Sequence, residues 1–217
     1  MEKSKISLLT FIGLYTLYFL AKWHLTGFKF ILGLPAFVWI YLVLFGLGIV
    51  IWGQTLLDKW RWVRSHVKES MFFLLVGCLG IFVADNLSSL LVAILQTAFH
   101  LAEGQNDNNV AWFLQHYPSF ITLPIVAVVG PAVEEFFFRQ FLVSYLAKKS
   151  ELLAIVVSAF LFAGVHMHGF SLSEMVVAVA QLGGALGFGF LFLKSGKNIW
   201  FPLILHSLGN LFIVLLF

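Results

Sequence analysis

Charge is scarce in this chain. Asp, Glu, Lys and Arg make up 11% of its 217 residues, while 61% are hydrophobic. A soluble domain carries about 25% charged and roughly 45–50% apolar residues. So few charges do not cover a soluble globule of this size, which excludes a soluble enzyme and a nucleic-acid-binding module. The apolar content excludes a disordered chain. Cysteine is nearly absent as well. With Cys78 alone, there is no internal disulfide and no thiolate metal cluster; within its apolar run it reads as a small hydrophobe. No solenoid repeat, low-complexity tract or domain linker interrupts the sequence.

Long apolar runs fill the chain instead. A membrane-spanning helix needs about 20 mostly apolar residues to cross roughly 30 Å of hydrocarbon. Seven runs qualify: Ile6–Leu25, Ile31–Gly53, Met71–His100, Ser119–Leu146, Leu152–Met167, Met175–Leu193 and Ile199–Phe217. They predict an all-α polytopic membrane bundle of about seven transmembrane helices, partnered by the lipid bilayer and not by nucleic acid. The third run is long enough to be tilted or broken near Asp85–Asn86. The first has a basic start but is too long for a signal peptide and lacks a small-residue cleavage site, so it reads as a retained helix.

Lysine and arginine favour the cytoplasmic side. With the N-terminus inside, ten of the thirteen basic residues fall there: Lys3, Lys5, Lys59, Arg61, Arg64, Lys68, Lys148, Lys149, Lys194 and Lys197. Lys22 and Lys29 fall outside, and Arg139 lies within a span. The expected topology is N-terminus cytoplasmic and C-terminus out, in a plasma membrane. Trp23, Trp52, Trp112 and Trp200 lie near predicted span ends, where interfacial anchors belong.

Ionisable groups inside a span are expensive, so each marks a candidate site. The fourth run contains Glu134-Glu135-Phe136-Phe137-Phe138-Arg139. Glu135 and Arg139, at i and i+4, face each other and are expected to pair. Glu134 is turned by about 100° and is left available to a different neighbour. The fifth run ends Phe162-Ala163-Gly164-Val165-His166, and the seventh places His206 and Asn210 on one helical face. If these faces converge, they assemble a carboxylate base, histidines and amide donors, the groups needed to activate water and stabilise an oxyanion. Each motif also has a structural reading: a buried ion-pair network for the Glu-Glu-Arg segment, and polar helix glue for the histidines, His100 and His168 included. The joint occurrence of three motifs favours chemistry. Asp85 has no intramembrane aspartate partner for an aspartyl dyad, and neither GxSG nor HExxH is present. Gly183, Gly184 and Gly187 fit close helix contact. Counted from the run ends, Glu134, His206 and His166 lie at roughly 18, 10 and 22 Å from the cytoplasmic boundary, depths that do not coincide.

These three motifs together resemble the CPBP group, the CAAX proteases and bacteriocin-processing enzymes also known as ABI or type II CAAX prenyl endopeptidase-like proteins. Its signature of EExxxR, FxxxH and HxxxN/D is met in order by Glu134-Glu135-x-x-x-Arg139, Phe162-x-x-x-His166 and His206-x-x-x-Asn210. The resemblance divides the chain into divergent N-terminal helices, residues 1–118, and a catalytic core, residues 119–217. It implies an intramembrane endopeptidase in which Glu134 and His166 activate water, His206 and Asn210 stabilise the oxyanion, and Glu135 and Arg139 support the site. Metal dependence stays open: Glu134, His166 and His206 form a donor set of the kind that holds zinc with an open position, without the HExxH that marks such sites. The implied substrate is a membrane-associated peptide or protein, such as a bacteriocin or signalling-peptide precursor, reaching the bundle from the cytoplasm or laterally from lipid. The alternative is a non-catalytic self-immunity or membrane scaffold protein of the same fold. A small transporter with a proton relay is a third reading, weakened by the lack of an inverted repeat.

Overall fold

The computed structural model describes residues 2–25, 33–102 and 105–216. Lys29 and the side chains of Lys3 and Trp23 lie outside the described residues. Among the described residues eight helices follow one another: α1 (Glu2–Leu25), α2 (Ala36–Ser65), α3 (Val67–Phe99), α4 (Gln105–His116), α5 (Ser119–Leu146), α6 (Glu151–His166), α7 (Leu172–Lys194) and α8 (Trp200–Leu216). The protein is an all-α polytopic membrane bundle in which α1, α2, α3, α5 and α7 are long and apolar enough to cross a bilayer. The apolar helices α6 and α8 are shorter, 16 and 17 residues.

Two helices outrun the hydrocarbon. At 30 and 33 residues, α2 and α3 reach about 45 and 50 Å at 1.5 Å per residue, against roughly 30 Å of apolar bilayer. They meet at His66, so the predicted second loop does not exist as a loop: Lys59, Arg61, Arg64 and Lys68 are helical. Basic side chains solvate the projecting ends, with Arg61 paired to Asp58 at 3.0 Å. Because α2 continues past Gly53, Trp52 is not an interfacial anchor. It packs inside the bundle, edge-on to Phe11 at 5.2 Å and against Phe136 at 5.6 Å. Trp200 does anchor an end, donating its indole N–H to the Leu56 carbonyl at 2.8 Å.

Small residues set the closest helix contact. A methyl group at Gly183 would overlap the Ala84 carbonyl, and one at Gly187 would lie 2.6 Å from Ile81 Cγ1. The main chains of α3 and α7 can touch only because these positions carry no side chain. Of the two expected ways to fit this long run, tilted or broken near Asp85–Asn86, the break does not occur: α3 runs unbroken through it. Asn86 is satisfied locally, donating to the Phe82 carbonyl at 2.7 Å, and Asp85 lies against Gly184. On the other side an aromatic stack binds α1 and α2 to α5: Tyr15 stacks on Phe137 at 4.2 Å, and Phe136 sits over Gly48. The segment between α3 and α5, read from sequence as a loop, contains α4, whose Phe113 is buried edge-on to Phe37 at 5.1 Å.

The glycine contact is testable. Gly183→Val should lower the melting temperature of the detergent-solubilised protein, since overpacking costs about 1–3 kcal/mol where neighbours can yield and more against backbone. Gly80→Val, which faces open space on the same α3, should leave it nearly unchanged.

Candidate active site

The site begins with an irregularity in α5. Residues Ile125–Val129 and Phe136–Val143 form π-helical turns, in which an N–H reaches the carbonyl five residues back. The Gly130 N–H bonds Ile125 O in this pattern. The next donor in register, for Val126 O, is Pro131, which has no N–H. A partly buried carbonyl without its helical donor is best satisfied by another partner, and Asn210 Nδ2 supplies it from α8 at 3.0 Å. Asn210 therefore ties α8 to the widened turn just before the two glutamates, and its side chain also lines the central cavity.

The two glutamates part ways. Glu135 is fully buried, with Oε2 3.2 Å from Arg139 Nε, which is also fully buried. The spacing expected from sequence is realised. Arg139 Nη2 donates to the Ala185 carbonyl at 3.4 Å. The rest of the guanidinium is enclosed by the rings of Phe162, Phe188 and Phe138, at 5.0, 5.6 and 5.8 Å from Cζ. An ion in a dry interior is tolerated when a counter-charge and aromatic faces replace its water.

Glu134, on the next position of the same turn, faces the cavity. The Tyr41 hydroxyl donates to its Oε1 at 3.4 Å. Its Oε2 lies 3.6 Å from His206 Nε2, an ion-pair distance too long for a direct hydrogen bond. The other nitrogen of His206, Nδ1, lies 3.0 Å from Glu135 Oε1. His206 thus spans the adjacent carboxylates, while Phe188 stacks on its ring at 5.0 Å.

His166, the last residue of α6, lines the same cavity as Glu134, His206 and Asn210. Its Nδ1 is 2.8 Å from the Phe162 carbonyl. A carbonyl only accepts, so Nδ1 carries the proton and Nε2 keeps its lone pair for the cavity. The three depths counted from sequence were unequal because run ends do not share a plane. Helices α6 and α8, about 24 and 26 Å long, do not match the 28-residue α5, and α5 is widened twice.

Several contributors were not among the candidate site residues read from sequence. Phe162, quoted only as a spacing marker, touches Arg139 and packs on both His166, at 4.7 Å, and His206, at 5.8 Å. Tyr18, Lys22 and Tyr41 come from α1 and α2 and line the cavity beside Glu134. Their only sequence signal, polar groups within apolar runs, was too weak to single them out. Lys22 is buried and donates to the Val165 carbonyl. Between α6 and α7, the His168 N–H bonds Glu174 Oε2 at 2.7 Å, and Ser171 caps α7 by accepting from the Glu174 N–H. Burial, then the nearby Lys22 ammonium, push the His168 imidazole below its ordinary range, outweighing Glu174, so it stays neutral near pH 7.

The zinc donor set considered from sequence does not form. Among the described residues no three His, Cys, Asp or Glu side chains are arranged to hold a metal ion. His206 is engaged by a carboxylate on each nitrogen, and His166 Nδ1 by its own helix.

The all-α membrane bundle thus gathers Glu134, His166, His206 and Asn210 at one interior cavity, with Glu135 buried behind His206. Residues 115–212, a little under half of the chain and the part that carries all three motifs, match the family model described as type II CAAX prenyl endopeptidase Rce1-like. This match supports an enzymatic, protease-like assignment, with which the buried contacts of His206 to Glu134 and Glu135 are consistent. A protein of Bacillus subtilis (strain 168) named "Putative membrane peptidase YdiL" is 27% identical over 158 residues, covering 71% of this chain and 61% of that protein. The match thus spans less than two thirds of the relative's length. No solved structure matches the chain.

The division between the glutamates makes a stability prediction. Glu135→Gln or Arg139→Leu breaks a buried pair and should destabilise the protein by about 3–5 kcal/mol, read as a large fall in melting temperature. Glu134→Gln, at the cavity wall, should leave the melting temperature close to that of the wild type.

Proposed function

We propose that this protein is an intramembrane endopeptidase that hydrolyses a peptide bond in a membrane-associated peptide or protein, with Glu134 as general base. The observation that carries this reading is the pairing of Glu134 with His206 at the cavity while Glu135 is committed to Arg139. Glu135 faces Arg139, whereas Glu134 faces His206, whose Nδ1 meets Glu135 and whose Nε2 is directed to Glu134 and the cavity.

In this mechanism a water held between Glu134 and His166 Nε2 gives its proton to Glu134 and its oxygen to the scissile carbonyl carbon. The negative charge leaves Glu134 and reappears on the tetrahedral oxyanion. His206 Nε2–H and the second N–H of Asn210 receive it. The developing charge thus moves between groups that both face His206, within a low-dielectric site where oriented donors count most. Glu134 next passes its proton to the departing nitrogen, and the C–N bond breaks. Tyr41 keeps one carboxylate oxygen fixed so that the other meets water. No step passes through a metal.

The same reading counts α6 and α8 as spans, giving seven, with the N-terminus cytoplasmic in a bacterial plasma membrane. Their lengths fall a few ångströms short of a full crossing, a mismatch that a bundle accommodates by local thinning.

New peptide N-termini in membranes of cells expressing the wild type, compared by mass spectrometry with cells expressing Glu134→Gln or His166→Ala, test the assignment whatever the substrate is. A set of termini should be present with the wild type and absent with both variants. General-base catalysis contributes about 10²–10⁴-fold in rate, so residual cleavage should be near background. Tyr41→Phe should retain cleavage at a reduced rate. Unchanged termini in both Glu134→Gln and His166→Ala membranes, with normal protein levels, overturn the proposal.

A further inference from the structure

We infer that the cavity opens on the extracytoplasmic side of the membrane, so that the polypeptide it admits is one already presented at the outer surface. This rests on the reading of the cavity as a peptidase site and adds the side from which substrate arrives.

The bundle has two distinct ends. At one, Lys59 Nζ donates to the Gly196 carbonyl at 2.7 Å, Lys194 pairs with Glu151 at 3.1 Å and Trp200 reaches Leu56. These contacts join the end of α2, the end of α7 and the starts of α6 and α8. The connections here carry every basic residue between Lys59 and Lys68, between α5 and α6, and between α7 and α8, eight in all. At the other end lie the last turn of α1, the first turn of α2, α4 and the last turn of α6, held together by Tyr117 Oη on the Gly33 carbonyl at 3.1 Å and by Phe37 on Phe113. Lysine and arginine concentrate on the cytoplasmic side, which assigns the first end inward and the second outward.

The cavity belongs to the second end. Its volume is about 640 Å³, within the roughly 300–1,000 Å³ usual for ligand sites. On each helix the lining residues sit toward the outer end: Lys22 on α1, Phe37 and Tyr41 on α2, His166 on α6. Glu134 and His206 form its floor. Beneath them, toward the basic end, Arg139, Phe136, Phe138, Phe192 and Phe201 are each 1% exposed or less, so the packed core closes that route. The mouth carries aromatic groups and amides, with Trp112 and Asn109 from α4 and Gln181 from α7. These rings and amides suit an extended peptide segment with apolar side chains. This side differs from the cytoplasmic approach expected from sequence and is compatible with the lateral entry from lipid named beside it.

Cysteine accessibility in intact cells tests this. In a Cys78→Ala background, Asn109→Cys and His168→Cys, both at the cavity, are compared with Lys149→Cys at the basic end, using a membrane-impermeant sulfonated maleimide and the full-length protein. Labelling of Asn109→Cys, and of His168→Cys, in intact cells, with Lys149→Cys labelled only after permeabilisation, is the expected result. The reverse pattern, labelling of both ends in intact cells, or labelling of the cavity cysteines only after permeabilisation overturns the inference. None of these outcomes depends on cleavage. A reversed orientation leaves the peptidase assignment standing, and the expected orientation with Glu134→Gln termini unchanged removes the peptidase assignment alone.

Discussion

A guanidinium and a carboxylate with no exposed surface, Arg139 and Glu135, organise the interior of this bundle. Neither ion is stable alone in an apolar core, so each constrains what surrounds it. Arg139 draws in three phenylalanines from three helices, Phe138 on α5, Phe162 on α6 and Phe188 on α7, together with the Ala185 carbonyl. Glu135 holds His206 of α8 through Nδ1. Four helices thus converge on one ion pair, and His206 is left with its second nitrogen beside Glu134. Two glutamates in sequence have different chemistry because the first turn of geometry places one inside this pair and the other at a cavity wall.

The backbone of α5 contributes a second constraint. Pro131 removes the donor that a π turn would give to Val126, and Asn210 replaces it. A residue that the family resemblance implies as an oxyanion donor also has a structural task, holding α8 against the widened turn. One amide N–H is used on the helix and the other remains for the cavity. Loss of Asn210 therefore removes the partner of a partly buried carbonyl, at about 1 kcal/mol, in addition to any effect on chemistry. The two contributions are separable because the first appears in stability and the second in rate.

Much of this was legible in the sequence. Hydropathy identified the membrane bundle, the i, i+4 spacing of Glu135 and Arg139 identified the ion pair, and the small residues at 183, 184 and 187 identified a close helix contact. What was not legible has physical causes. Apolar length does not locate the end of a helix that leaves the bilayer, so α2 and α3 were cut short and Trp52 was misplaced. The polar composition of α4 masked a helix that closes over the cavity. Phe162 stood in the FxxxH motif, but among 25 phenylalanines nothing in a linear pattern distinguishes Phe188, which packs on Arg139 and His206, from those that face lipid. Tyr41 and Lys22 reach the site only through tertiary packing of the helices outside the motif-bearing half.

The central claim is that adjacent carboxylates occupy opposite states, Glu135 locked in a buried pair and Glu134 open to a cavity. Reaction of the purified, folded protein with a hydrophobic carbodiimide, mapped by peptide mass spectrometry, reads this directly, because the reagent modifies carboxyl groups it can reach. The account predicts an adduct on Glu134 with Glu135 protected. Modification of Glu135 alone, or of both glutamates to the same extent, contradicts it.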